Sequence, residues 1–243
     1  MIHIHENMGG PGIRRRDVQV WVPPGYGSFP QRRYPILYMH DGQNVFDPAT
    51  STHGIAWEAD LKAEELINEG KMREIIIAAV NHTPDRMDEY DDSPRGQDYM
   101  NFVARILKPY IDGTYRTIPG PESTAVAGSS MGGLISLLLA WNYPDVFGMA
   151  GCLSPVFVAA SVNIPPVIRE NPKPPVKIYI DNGGRNLDAQ LQRGCDLAVL
   201  ELLEKGFRRG IDVEWFFDPE DDHSEEAWRS RLWRPLLFFF GDK

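Results

Sequence analysis

Seven short apolar runs recur along this chain, at residues 18–22, 36–39, 75–80, 124–127, 149–153, 176–180 and 213–217. Longer stretches with helical spacing separate most of them, at 59–69, 99–111, 134–141, 189–204 and 224–240. The run at 75–80 has no polar position at all, as in a strand covered on both faces of a parallel sheet. This alternation predicts an α/β fold with a mostly parallel central sheet and helices on both faces. Sites in such sheets lie beyond the carboxyl ends of the strands. The loops after each strand are therefore where chemistry is expected.

With 243 residues and 42% hydrophobic content, the chain can bury one sizeable core. One domain over residues 1–243 is expected, with 153–175 as a small cap or pocket-wall insertion. That stretch is rich in proline and apolar residues and joins two strands at the catalytic end. The net charge of −9 argues against nucleic acid or an anionic membrane as a partner. The two cysteines, Cys152 and Cys195, lie in apolar surroundings and read as small buried hydrophobes. The opening MIHIHENMGG has no basic start followed by an apolar segment, and no stretch reaches the length of a membrane span. A cytoplasmic location is the expectation. His3 and His5 read as an ordinary strand end rather than a metal pair.

Gly128-Ser129-Ser130-Met131-Gly132 sits between the run at 124–127 and the helical run at 134–141. Strand, sharp turn and helix around G-x-S-x-G describe a nucleophile elbow, which lifts the serine hydroxyl clear of the sheet. Ser130 is thus a candidate nucleophile. A serine hydroxyl is weak at neutral pH and needs a base, held in turn by a carboxylate. Of six histidines, His223 follows the last strand and precedes the last helix, where an elbow enzyme takes its base. The acid should follow the run at 176–180. Asp181 stands at the strand end, while Asp188 follows the glycine turn and can swing back toward His223. Asp188 is favoured on topology, with Asp181 as the alternative and Asp218, Asp221 and Asp222 ranked lower.

Two backbone N–H groups must face the charge that develops on the carbonyl oxygen. Met131, directly after the nucleophile, supplies one candidate. The loop His40-Asp41-Gly42-Gln43-Asn44 supplies the other, and Gly42 permits a tight path that points to the Gln43 N–H. Trp57, Phe157 and Val158 are the candidate substrate contacts. Tyr90 and Trp228 are further aromatics for the cleft or the core. Glu225, Glu226 and residues 219–222 read as solvated. No cofactor and no metal are called for.

These residues together resemble the putative esterase family of α/β hydrolases, which includes feruloyl and acetylxylan esterases of carbohydrate esterase family 1, enterochelin esterases, S-formylglutathione hydrolases and mycolyltransferases. The likeness runs through VWVPPGY, YPILYMHDGQNVFD, AWEAD, LKPYIDGTYRT, GSSMGG, YPDVFG, LDAQ and HSEEAW. It implies a cofactor-free serine carboxylesterase that works through an acyl-enzyme on a small-molecule ester, with Ser130 as nucleophile, His223 as base and oxyanion donors at Met131 and Gln43. Several relatives carry their acid about three residues after a loop glycine, which corresponds to Asn186 here. Asparagine cannot supply the charge, and Asp188 is the natural substitute. An acyltransferase would use the same residues, and a non-catalytic binding protein on this fold is the alternative of a different class. The identity of the ester and the oligomeric state, a homo-oligomer included, are open at this point.

Overall fold

The computed structural model describes residues 1–242. In chain order the elements begin with β1 (Ile2–Met8), β2 (Arg16–Trp21), β3 (Ile36–His40), α1 (Ala59–Asn68) and β4 (Ile76–Val80). Then come α2 (Arg86–Glu89), α3 (Pro94–Asn101), α4 (Lys108–Thr114), β5 (Thr124–Ser129), α5 (Met131–Asn142) and β6 (Met149–Leu153). A small hairpin of β7 (Val158–Ala159) and β8 (Val162–Asn163) leads into α6 (Ile164–Glu170). The chain closes with β9 (Lys177–Gly183), α7 (Asn186–Glu204), β10 (Val213–Asp218), α8 (Glu225–Arg231) and α9 (Trp233–Phe240).

Eight strands form one sheet in the order β1-β2-β4-β3-β5-β6-β9-β10. β2 runs antiparallel to both of its neighbours, and every other pairing from β4 to β10 is parallel. The carboxyl ends of β3, β5, β6, β9 and β10 therefore open toward one edge. The alternation of side chains along each strand divides the core in two. Ile36, Tyr38, Ile76, Ala78 and Val80 join a cluster with α3, α5 and α7, while Leu37, Met39, Ile77 and Ala79 join one with α1 and α9. Both faces are covered, which is why these strands lack the polar alternation of a half-exposed sheet.

Three boundaries differ from the sequence reading. β1 is a full edge strand, and its His5 bonds the hydroxyls of Tyr110 and Tyr115 at 2.9 and 2.7 Å. The helix expected at 99–111 extends over 94–114, with a wide π turn at Phe102–Leu107. Pro109 explains the widening: it has no N–H for the Arg105 carbonyl, and its ring pushes that carbonyl away. The helix expected at 224–240 is two helices with a break at Leu232, because Pro235 cannot donate to the Arg231 carbonyl. Both cysteines are buried and unpaired. Among the described residues no helix is long and apolar enough to cross a membrane.

An ion pair lies inside this frame. Arg16 at the start of β2 forks onto Glu89 at the end of α2, with bonds of 2.9 and 2.6 Å, and both side chains are fully buried. The guanidinium also lies 5.1 Å from the Tyr99 ring centre. Removing one partner leaves a charge without solvent or counter-ion. Glu89→Ala should therefore cost about 3–5 kcal/mol, read as a fall of about 10 °C in the thermal midpoint; an unchanged midpoint would show that water reaches Arg16.

Candidate active site

The turn between β5 and α5 is sharp and sterically crowded. Ser130 caps α5 with φ 57° and ψ −122°, in the half of backbone space that side chains disfavour. The flanking glycines follow from contact. A Cβ on Gly128 would lie 2.8 Å from the Gly132 carbonyl carbon, and one on Gly133 would lie 3.0 Å from Pro155 Cβ. The Ser130 N–H donates to the Leu153 carbonyl at 2.9 Å. Its carbonyl accepts from Gly133 and Leu134 at 3.1 and 3.2 Å. The turn is thus pinned by the neighbouring strand on one side and by its own helix on the other. Met131 is the first residue of α5, so its N–H has no acceptor within the helix.

His223 comes from the loop between β10 and α8, and Asp188 from the first turn of α7. His223 Nδ1 and Asp188 Oδ1 are 2.6 Å apart. Asp188 is buried, and its other oxygen accepts from Ser154 Oγ at 2.7 Å and from the Gly183 N–H at 2.8 Å. Burial alone would raise this carboxyl. The hydrogen bonds from His223 and Ser154, the His223 charge and the Gly183 amide prevail and hold it below the usual carboxylate range. Trp228 packs its ring edge-on to His223, with centroids 4.9 Å apart, and its Nε1 donates to Ser154 Oγ at 3.0 Å.

Asp181 is also buried but is held by other partners. It pairs with Arg231 at 3.2 Å and accepts from Tyr179 Oη at 3.1 Å. Burial pushes its pKa up against the pull of Arg231. Arg231 also bonds Ser154 Oγ at 3.0 Å and Asp221 at 2.8 Å. Asp221 is therefore a structural partner rather than a solvated residue. Ser154, directly after β6 with φ 41°, joins the two buried aspartates. Its only signal in the sequence is its place at a strand end before a proline.

On the opposite side of the elbow, the loop after β3 turns at Asp41 (φ 56°) into a short 3-10 turn, Gly42–Asn44. The turn bonds run from Asn44 N–H to the Asp41 carbonyl and from Val45 N–H to the Gly42 carbonyl, so the Gln43 N–H has no acceptor in the turn. Gly42 is needed because a Cβ there would sit 2.6 Å from the β4 backbone at Ala79. His40 is buried, and burial lowers its pKa to about 3, so it stays neutral against Tyr99 Oη at 2.8 Å.

Ser130 and His223 open onto one cavity of about 310 Å³. Its other walls include Asp41, Asn44, His53, His82, Arg86, Glu225 and Trp228. The lining is mostly polar. Glu225 belongs to it and meets the Asn44 amide at 3.5 Å, which corrects the expectation of a purely solvated residue. The three expected substrate contacts are not among the lining residues. Trp57 is buried against Trp228, with ring centroids 5.8 Å apart. Phe157 is fully inside the core. Val158 is exposed and packs on α7 beside Gly194. The reason is common to the last two: within residues 153–175, β7 and α6 pack on α7, and no residue of that stretch is among the cavity's lining residues. Tyr90 is a core residue whose hydroxyl accepts from the Asp41 N–H at 3.3 Å. His82 and Arg86 had no motif to reveal them; both follow β4, whose strand end reaches the same edge. Among the described residues no group of three or more metal-binding side chains is gathered.

A family model described as Putative esterase matches residues 13–239. The chain is 27% identical over 223 residues to an endo-1,4-beta-xylanase/feruloyl esterase of Xylanibacter ruminicola; this is 90% of the chain and only 28% of that protein's length. Of solved structures, a ferulic acid esterase superposes with a TM-score of 0.81 at 19% identity, over 99% of this chain and 97% of that one. The enterobactin esterase FES from Shigella flexneri gives 0.79 at 16% identity, over 98% of this chain and 58% of that one. These likenesses establish the α/β-hydrolase fold, and the family match spans nearly the whole chain: the protein belongs to the putative esterase family.

Proposed function

We propose that the protein is a serine carboxylesterase. The observation that carries this reading is the convergence of a strained Ser130 and an Asp188-held His223 on one cavity. In the proposed cycle His223 takes the Ser130 proton as the hydroxyl oxygen attacks the ester carbonyl. The N–H groups of Met131 and Gln43 receive the negative charge on the carbonyl oxygen. His223 then gives its proton to the departing alcohol, leaving the acyl group on Ser130. Water attacks the acyl carbonyl as His223 takes its proton, and His223 then returns that proton to Ser130 Oγ as the bond to the acyl group breaks and the acid is released. Asp188 holds the ring with Nδ1 toward it, so that Nε2 is the nitrogen that exchanges protons, and stabilises the imidazolium.

The polar walls and Trp228 suit an ester that carries hydroxyl groups beside an aromatic or sugar ring. Feruloyl esterases recur among the relatives, which makes methyl ferulate the first substrate to set against simple aliphatic esters. A small-molecule ester is the only partner this reading requires, and it calls for no cofactor.

Ser130→Ala should abolish hydrolysis of a short p-nitrophenyl ester and labelling by a fluorophosphonate probe, with the circular-dichroism spectrum unchanged. Turnover persisting in that variant would reject the reading. The acid is tested separately. Asp188→Asn should lower kcat by roughly 10⁴ while the protein stays folded. Asp181→Asn should instead lower the thermal midpoint, by leaving Arg231 underpaired, and keep most of kcat. The opposite ranking would move the acid to Asp181.

A further inference from the structure

We propose that Arg86 is a positioning residue for this ester chemistry: it compensates the Asp41 carboxylate beside the elbow and fixes the loop that carries Gln43, so that negative charge can develop on the substrate oxygen. The inference rests on the serine esterase reading above.

The difficulty it resolves is electrostatic. An oxyanion site must present partial positive charge, yet an aspartate stands at its edge. Asp41 is two residues before Gln43, and a Cβ on Gly132 would lie only 3.4 Å from Asp41 Oδ2. The carboxylate therefore packs against the first turn of the helix whose leading N–H faces the substrate. Ionised and alone there, it would oppose the charge that the amides must accept.

Arg86 meets that carboxylate with a two-pronged fork, Nε to Oδ1 and Nη2 to Oδ2, both at 2.7 Å. His82 Nδ1 approaches Oδ1 at 2.8 Å. Arg86 is itself held over the Tyr90 ring, 5.0 Å from its centre, and the Tyr90 hydroxyl accepts from the Asp41 N–H. The fork is planar and rigid, so it fixes the orientation of the carboxylate as well as its charge. Burial works against ionising Asp41; the hydrogen bonds from Arg86 and His82 outweigh it and keep the carboxyl far below its usual range. The loop is clamped from two further directions. The His82 N–H donates to Gln43 Oε1 at 3.1 Å, and the Thr50 hydroxyl donates to the Gln43 carbonyl at 2.8 Å. Ion pair and αL turn at Asp41, the close contact at Gly42 and the two bonds to Gln43 thus act on three consecutive residues.

The test is steady-state hydrolysis of p-nitrophenyl acetate by the intact chain, since attack on the ester and on the acyl-enzyme both pass through an oxyanion. Arg86→Gln should lower kcat by about 100-fold, on the scale of losing an oxyanion donor, with KM within about threefold. Asp41→Asn/Arg86→Gln removes the uncompensated charge and should recover at least tenfold of that kcat. A role confined to stability predicts no such recovery, and its absence would overturn the proposal. So would an unchanged kcat in folded Arg86→Gln, or a rise in KM alone, which would make Arg86 a direct substrate contact. Should Arg86→Gln prove too unstable to purify, the double variant carries the test alone: with no charge left to compensate, its kcat must stay within about tenfold of wild type, and a larger loss overturns charge compensation. An inactive wild-type protein would instead refute the esterase reading, which keeps the two failures apart.

Discussion

The buried carboxylate of Asp188 is the point on which the candidate site is organised. A carboxylate taken out of water is costly unless its lone pairs are filled. Here they are filled from three elements that are distant in sequence: His223 before α8, Ser154 after β6 and Gly183 at the end of β9. Satisfying the charge therefore docks the β10–α8 loop onto the sheet edge, and the same contacts fix the imidazole. Ser154 extends the network to Trp228 and Arg231, and Arg231 pairs with Asp181 and Asp221. The two buried aspartates are thereby given different partners, one an imidazole and the other a guanidinium, and their pKa values move in opposite directions.

The elbow stores strain that the rest of the fold must hold. A non-glycine residue at positive φ costs about 1–3 kcal/mol and persists only where its surroundings over-determine it. At Ser130 the surroundings are the Leu153 carbonyl, the Val156 N–H, and the Gly128–Gly132 contact that leaves no room for a Cβ. Asp41 and Ser154 also have positive φ. All three lie just past the carboxyl ends of β3, β5 and β6, which are consecutive in the sheet after β4. Asn186, just past β9, is a fourth at this edge, while Asn7 in β1 and Glu58 before α1 have positive φ elsewhere. Helices α5 and α7 and the strands beneath supply the apolar burial that tolerates the strain.

Much of this was legible before any coordinates, for physical reasons that can be named. The apolar runs report burial on both faces of the sheet, so strands such as Ile76–Val80 and Met149–Leu153 stood out by composition alone. Ser130 was legible because the elbow needs small residues at fixed offsets, and Gly42 because a Cβ there would lie 2.6 Å from the backbone of another strand. The split of the last helix and the π turn were not foreseen, although Pro235 and Pro109 carried the cause. Glu225 read as solvated because charge at a helix start usually is.

Trp57, Phe157 and Val158 are absent from the cavity lining for a different reason: Trp57 packs on Trp228, and the segment carrying Phe157 and Val158 packs on α7. Hydrophobicity does not say against which element a residue packs, and here β7 and α6 pack on α7. Arg86, His82 and Ser154 carry no local pattern, since their partners lie 45, 41 and 34 residues away, respectively. The sequence alone determined the sheet, the strained turn at Ser130 and the place of His223 after the last strand, because steric and hydrophobic demands act locally. Tertiary structure decided which carboxylate meets the imidazole and which is matched to a guanidinium, because desolvated charge is satisfied only by whatever the fold brings within a hydrogen bond.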